Sequence, residues 1–530
     1  MSNIAHAEKK RNIIMIWGKA NQFMQQQPAL TQTTQAPTQK TLLQYRWMRY
    51  FFTEDTATGT CSISHIQRRA VWIALAFILQ AVSTTDFNGI FPFLKSFSSF
   101  LPTPLILASF VAIWMALRPS SPKIQAKQEK QKHTTHTTTL LQRLILIVTF
   151  GFAIGGSVMM IMGIVQSFSP PRLTNDGTSL DTNAAMLLLE GRNPYTDSNM
   201  LDLARKFHIL PDWTTPLRSG QFANSLDYPK MTELQSVLDT DLKAGKAPDF
   251  ESKVSYPALS FLTLVPFTLF KNYNVLSFYV LSYLVLIGIA LKMARPELRP
   301  WVLLLSLANV PMWSSTIGGN LDVFNILLLV LTWLLRDKRW WSAICLGLAI
   351  ATKQIAWYFI PFYIIMVLRQ YGFKEALYRS IIAGGVGLAI NLPFIIWNAH
   401  AWLAGIMAPI ADPMFPLGIG IINLSTSHIL PYFSTKVYTV LEGLAMITSL
   451  IWYWRICKKH PEAVMLLAVL PLFFAWRSLP SYFYCIAYPV FVLMSSRRTR
   501  RSLPTLLPEK LSAPTHDLQL SQPAELGVPV

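Results

Sequence analysis

Residues 144–166 read LILIVTFGFAIGGSVMMIMGIVQ, an apolar run without a charge, long enough to cross a bilayer as one helix. It stops at a polar stretch. There Asn175-Asp176-Gly177 comes first, Gly191-Arg192-Asn193-Pro194-Tyr195 follows, and Tyr256-Pro257 reopens the apolar pattern. Further apolar segments lie near 256–270, 274–292, 300–317, 320–335, 340–352, 355–369, 380–397, 436–456, 462–475 and 481–495, and two more, 70–92 and 101–117, precede the quoted run. Together they predict an all-α polytopic membrane protein of about 11–13 membrane helices with one large extracytoplasmic loop. Several segments are shorter than the ~20 residues of a straight span, and their prolines predict broken or re-entrant helices.

The composition agrees. Of 530 residues, 52% are hydrophobic and 14% charged, which excludes an ordinary soluble protein. The net charge of +19 would suit nucleic acid if it formed a patch. Instead it is divided among clusters between apolar runs, including Arg68 and Arg69, Arg336 to Arg339, Arg369 to Arg379, Arg455 to Lys459 and Arg497 to Arg501. That pattern marks cytoplasmic loops under the positive-inside rule and leaves no nucleic-acid surface. Cys61, Cys345, Cys457 and Cys485 are scattered, and His208, His400 and His428 lack ligand spacing, so no disulfide framework or metal site is expected.

Counting back from the basic tail 496–530, alternation puts the clusters at 455–459, 369–379, 336–339 and 292–299 inside. Gly318-Gly319-Asn320, Lys353-Gln354, residues 398–434 and Arg477 to Tyr482 then face out. The acidic loop 167–255 is also read as outside. With 292–299 inside, 256–270 and 274–292 cannot both cross, so 256–270, with Pro257 and Pro266, is expected to dip into the membrane without crossing. The remaining organisation is a polar, mostly disordered cytoplasmic tail (1–69), an accessory transmembrane hairpin (70–117), a basic cytoplasmic linker (118–143), the transmembrane core (144–495) and a cytoplasmic tail (496–530). Both termini are thus expected in the cytoplasm of a multi-pass plasma-membrane protein.

Polar groups converge on the outer face from distant positions: Asp176, Asp181, Asn320, Asp322, Lys353, Asp412, Arg477 and Tyr482. Ionisable groups at membrane depth are costly, so such a cluster is a candidate site. Outside a plasma membrane no nucleotide-activated sugar is at hand, and a glycosyl transferase there takes its donor from a lipid-carrier phosphate. It needs a base for the acceptor hydroxyl and cations for the departing phosphate. Asp176 is the candidate general base and Asp181 the second choice; Lys353 and Arg477 are candidates for the phosphate, with Asn320, Tyr482 and Tyr195 as further substrate-binding candidates. Each has a plainer alternative. Asn-Asp-Gly is a turn triplet, Asp181 suits a helix N-cap before Thr182, Lys353 can snorkel, Asn320 can cap the helix that follows it, and Gly191 to Tyr195 suits a helix stop. No carboxylate stands out in mid-span and no internal repeat is visible, which weighs against the alternative reading as a transporter or lipid flippase.

The order of several motifs resembles the GT-C superfamily of membrane glycosyltransferases, especially the polyprenyl-phosphate-mannose-dependent mannosyltransferases of glycosyltransferase family 87. The matching features are the Asp early in the first large outward loop, the short helix ending in Gly-x-Asn-Pro-Tyr (Ala184 to Tyr195), Tyr256-Pro257, Gly318-Gly319-Asn320, and Leu346 to Gln354 with Pro361 after it. The resemblance spans roughly 144–495. It implies transfer of a hexose, mannose, from a polyprenyl-phosphate donor to a lipid-linked or envelope glycan acceptor with inversion, and it makes Asp176 the proposed base. The paired acidic motif of many GT-C proteins is absent, which leaves dependence on a divalent cation open.

Overall fold

The computed structural model describes residues 53–55, 60–62, 65–84, 99–118, 140–171 and 173–496. Most of the expected tail 1–69, the linker 118–143 and the tail 496–530 lie outside the described residues. The chain divides into two units, 1–61 and 62–530. The first holds strand β1 (Thr53–Asp55) and most of β2 (Thr60–Ser62), paired with each other. All described helices belong to the second.

Those used below are α1 (His65–Ser83), α2 (Pro102–Leu117), α3 (Leu140–Gln166), α4 (Asp176–Leu189), α5 (Leu276–Met293), α6 (Asp322–Leu334), α7 (Arg339–Thr352), α8 (Phe359–Tyr371), α9 (Phe373–Ala411), α10 (Thr435–Ile456) and α11 (Ala487–Ser495). Strand is confined to short pieces, so the fold is all-α. Among the described residues four helices, α3, α5, α9 and α10, are each long and apolar enough to cross a membrane. Most of the other expected segments form shorter helices among the described residues.

Lipid explains the surface of the long helices. Leu144, Ile147, Ile154, Val158, Ile161 and Val165 of α3 are exposed, as are Val440, Leu444, Ile447 and Ile451 of α10. Helical spacing puts each set along one side, an apolar stripe that water would penalise and a bilayer accepts. The opposite side of α3 meets helices Arg299–Ala308 and Val310–Ile317 closely enough that a Cβ on Gly156 would lie 1.7 Å from the Leu307 carbonyl oxygen. Small residues permit this backbone approach.

The segment 256–270 forms two short helices, Leu259–Leu262 and Val265–Leu269, with Pro266 in the first turn of the second. Phe261 and Leu264 pack beneath Leu180 and Ala184 of α4, in a core that includes Tyr195 and Phe394. Helix α9 is 39 residues long and breaks at Asn398, whose φ of −158° and ψ of 94° are not helical. The Asn398 side chain accepts the Ala401 N–H at 3.0 Å and so starts a second helical piece within the expected loop 398–434. The N-terminal hairpin is packed into the core: Gln80 donates to the Phe483 carbonyl at 3.1 Å and Thr103 to that of Gly420 at 2.9 Å.

Helices α6 and α7 run antiparallel, with Asn325 Nδ2 donating to the Ala349 carbonyl and Ser342 Oγ to that of Thr332. This arrangement gives the bundle two chemically distinct ends. At one, Arg339 and Arg379 share Glu375, Arg379 also donates to the Arg336 carbonyl, and the Arg369 guanidinium lies over Trp454. The clusters read as inside from sequence therefore gather together. The other end carries Asp176, Asp322 and Lys353.

Candidate active site

Asp176 is the first residue of α4, where the sequence alone also allowed a turn. Asn175 is the N-cap: its side chain accepts the Gly177 and Thr178 N–H groups, and Thr178 answers with a hydrogen bond from the Asn175 backbone. The Gly318-Gly319-Asn320 loop clamps this start. Both Thr174 Oγ1 and Asn175 Nδ2 donate to the Gly318 carbonyl. Gly319 has φ of 74°, and a Cβ there would lie 2.1 Å from Thr178 Cγ2, so glycine is required by backbone and by space.

The Asp176 carboxylate accepts the Thr215 hydroxyl at 2.5 Å. Burial pushes its pKa above the usual carboxylate range, while the Thr215 hydrogen bond and the charges of Arg477 and Lys353 oppose that rise. A base needs this compromise: ionised in use, yet avid for a proton.

Lys353 ends α7 in extended backbone. Its ammonium is 2.7 Å from Asp322 Oδ1, with side-chain exposures of 9% and 4%, and 5.1 Å from the centre of the Tyr256 ring. The ion pair replaces the snorkelling that composition allowed. Asp322, at the start of α6, thereby takes one of three ammonium donors. Next in the chain, Gln354 donates to the Ser255 and Ile406 carbonyls, tying the junction to the end of segment 167–255 and to α9. Arg477 belongs to strand β4 (Arg477–Ser478), which pairs in parallel with β3 (Leu417–Gly418), Leu417 opposite Arg477. That short ladder joins the chain after α9 to the chain before α11 and fixes Arg477 where the two meet.

Asp176, Lys353, Arg477 and Tyr482 line one cavity of about 240 Å³, together with Thr215, Tyr256 and Asp412. Trp357, Ile406, Pro409, Ile410 and Leu472 make the rest of its wall largely apolar. Asp176 shares this partly open space with two further carboxylates, Asp412 and Glu442, and with the cations Lys253, Lys353 and Arg477, beside a surface fit for hydrocarbon. Residues 255–480 match the family model of Glycosyltransferase family 87. The match indicates a membrane glycosyltransferase, in agreement with the membrane-length helices. The family 87 region contains Lys353, Arg477 and most of the cavity wall, and Asp176 enters that wall from α4, upstream of it. No curated protein and no solved structure matched the chain.

Three sequence candidates lie outside the cavity lining. Asp181 is not an N-cap, because α4 begins earlier; it is fully buried, accepts the Ser260 hydroxyl at 3.0 Å, and burial raises its pKa well above the carboxylate range. Asn320 accepts the Asp322 N–H at 3.0 Å and belongs to the loop that clamps α4. Tyr195 is buried against Phe261 and Phe394, and its hydroxyl holds the Tyr256 carbonyl at 2.9 Å. These two support residues that face the cavity.

Other lining residues escaped the sequence reading. Thr215 lacks any distinguishing pattern, since its importance comes from contact with a residue 39 positions away. Glu442 did carry a signal. It is a carboxylate inside the membrane-length helix α10, against the expectation that none stands out in mid-span, and it accepts the Tyr358 hydroxyl at the cavity wall.

Proposed function

We propose that this membrane glycosyltransferase moves a hexose, mannose, from a polyprenyl-phosphate donor to a lipid-linked or envelope glycan acceptor at the outer face of the plasma membrane. The supporting observation is the shared cavity of Asp176, Lys353 and Arg477 beside an apolar wall. In the proposed reaction Asp176 takes the proton of the acceptor hydroxyl. The acceptor oxygen forms a bond to the anomeric carbon from the face opposite the phosphate, the bond from that carbon to the phosphate oxygen breaks, and configuration inverts. The electron pair leaves with the polyprenyl phosphate. Arg477 offers that anion a planar fork and Lys353 its ammonium, already partly neutralised by Asp322. Arg477 is therefore the stronger phosphate contact of the two.

In this reading the cavity opens outward, both termini are cytoplasmic, and the apolar wall receives the polyprenyl chain. The test is transfer of radiolabelled mannose from polyprenyl-phosphate-mannose by the purified protein. Label in a new glycan supports the proposal; label moved across a vesicle bilayer but still on its carrier would assign a flippase instead.

A further inference from the structure

We propose that the end of the bundle remote from Asp176 carries a phosphate-binding site for the headgroup of an anionic phospholipid. Arg69, Arg295, Arg336 and Lys459 line a second cavity of about 240 Å³ there. They come from the start of α1, the turn after α5, the C-terminal end of α6 and the loop after α10, so their convergence is a product of the fold. Helix α6 separates the two cavities: Asp322 at its start pairs with Lys353, and Arg336 lies just past its other end. Its 13 residues span about 20 Å, too far for one phosphate to serve both sites.

Charge and burial point to an anion. Four cationic side chains face one carboxylate, Glu462, which is 7% exposed and holds His460 Nδ1 at 3.3 Å. The Arg69 Nε is buried and has no hydrogen-bond partner, a costly state that an anionic oxygen would relieve. Arg336 gives one N–H to the Trp333 carbonyl at 2.8 Å, and this contact anchors the guanidinium at the cavity. Arginine forks match phosphate oxygens geometrically.

The surroundings favour a lipid over free phosphate. Leu493 and Met494 at the end of α11 give the cavity an apolar edge, and it lies where membrane-length α5 and α10 terminate, the level of the headgroups. Basic pockets between membrane helices recognise anionic headgroups in this position. A bound headgroup would bridge α1, α6 and the α10 loop, holding the N-terminal hairpin to the core. The inference rests on the membrane reading and is independent of the sugar-transfer proposal.

The test follows thermal unfolding of the full chain in neutral detergent against added phosphatidylglycerol, phosphatidylcholine or inorganic phosphate. Phosphatidylglycerol should raise the unfolding midpoint saturably, and the other two should not. R295Q alters an exposed side chain and should weaken the apparent affinity about fivefold, as expected for one charge near a headgroup. R295Q/R336Q should weaken it further, and E462Q should strengthen it. An equal response to phosphatidylcholine, or an unchanged response in R295Q/R336Q, overturns the site. A full response to inorganic phosphate alone overturns the lipid as its occupant.

Discussion

Lys353 Nζ lies 2.7 Å from Asp322 Oδ1, and both side chains are almost wholly buried. A buried pair is costly to break on one side, because the survivor keeps its desolvation cost without its counter-charge. D322N is therefore expected to destabilise the protein by about 3–5 kcal/mol. The double variant D322N/K353M should recover most of that stability in thermal unfolding and still transfer no sugar. Recovery of activity in the double variant would remove Lys353 from the mechanism.

D176N should abolish transfer while the protein inserts and folds. Burial raises the folded pKa of Asp176 above its unfolded value, so the ionised form opposes folding. Stability contributed by this group is therefore greatest at low pH and declines as pH rises from the unfolded toward the folded pKa. D176N lacks that decline, and at neutral pH its unfolding midpoint should equal or exceed the parent's. A lower midpoint would mean that lost activity reports lost structure.

Thr215 supplies the hydrogen bond that opposes the rise in the Asp176 pKa. T215V should move the acid limb of the kcat/KM profile to higher pH, since protonation would then disable the base sooner. A limb that stays in place would disconnect Thr215, or Asp176, from the titration that governs rate.

Asp181 should behave unlike Asp176. Its carboxyl is expected to stay protonated within the core, accepting from Ser260. D181N, which keeps shape and neutrality, should retain activity and lose at most about 1 kcal/mol. D181A leaves a void and an unpaired Ser260 hydroxyl and should unfold at lower temperature. Complete loss of transfer in a stable D181N would return Asp181 to the list of candidate bases.

Gly319 faces Thr178 with no room for a Cβ, at a φ of 74°. G319A should cost about 1–3 kcal/mol and, by loosening the clamp on Asn175, lower kcat more than it raises KM. An unaffected kcat would show that the start of α4 is held by other contacts.

Much of the architecture follows from local pattern. The charge-free run 144–166 is a membrane-length helix because a helix satisfies its backbone hydrogen bonds within one segment in lipid, and Gly191, at φ of 74°, follows the end of α4 as its place before Pro194 suggested. The basic clusters announced a common end. The start of α4 was less legible: Asn-Asp-Gly favours a turn by itself, and the helix begins there because Asn175 caps it and the loop at 318–320 holds the cap. The embedding of the expected N-terminal hairpin in the core, through Gln80 and Thr103, was not legible.

Sequence by itself determined the solvent: a chain whose apolar runs alternate with basic clusters belongs in a bilayer, and most of its unusual polar residues lie between those runs or at their ends. It also singled out Asp176, Lys353 and Arg477, since charge is expensive where those residues lie. Only the tertiary structure decided which of them share a cavity, that Lys353 arrives already paired with Asp322, and that Asp181 turns into the core. The reason is physical. Burial cost and helical period are properties of a residue and its near neighbours, whereas a pKa, an ion pair or a cavity wall depends on groups that only folding brings together.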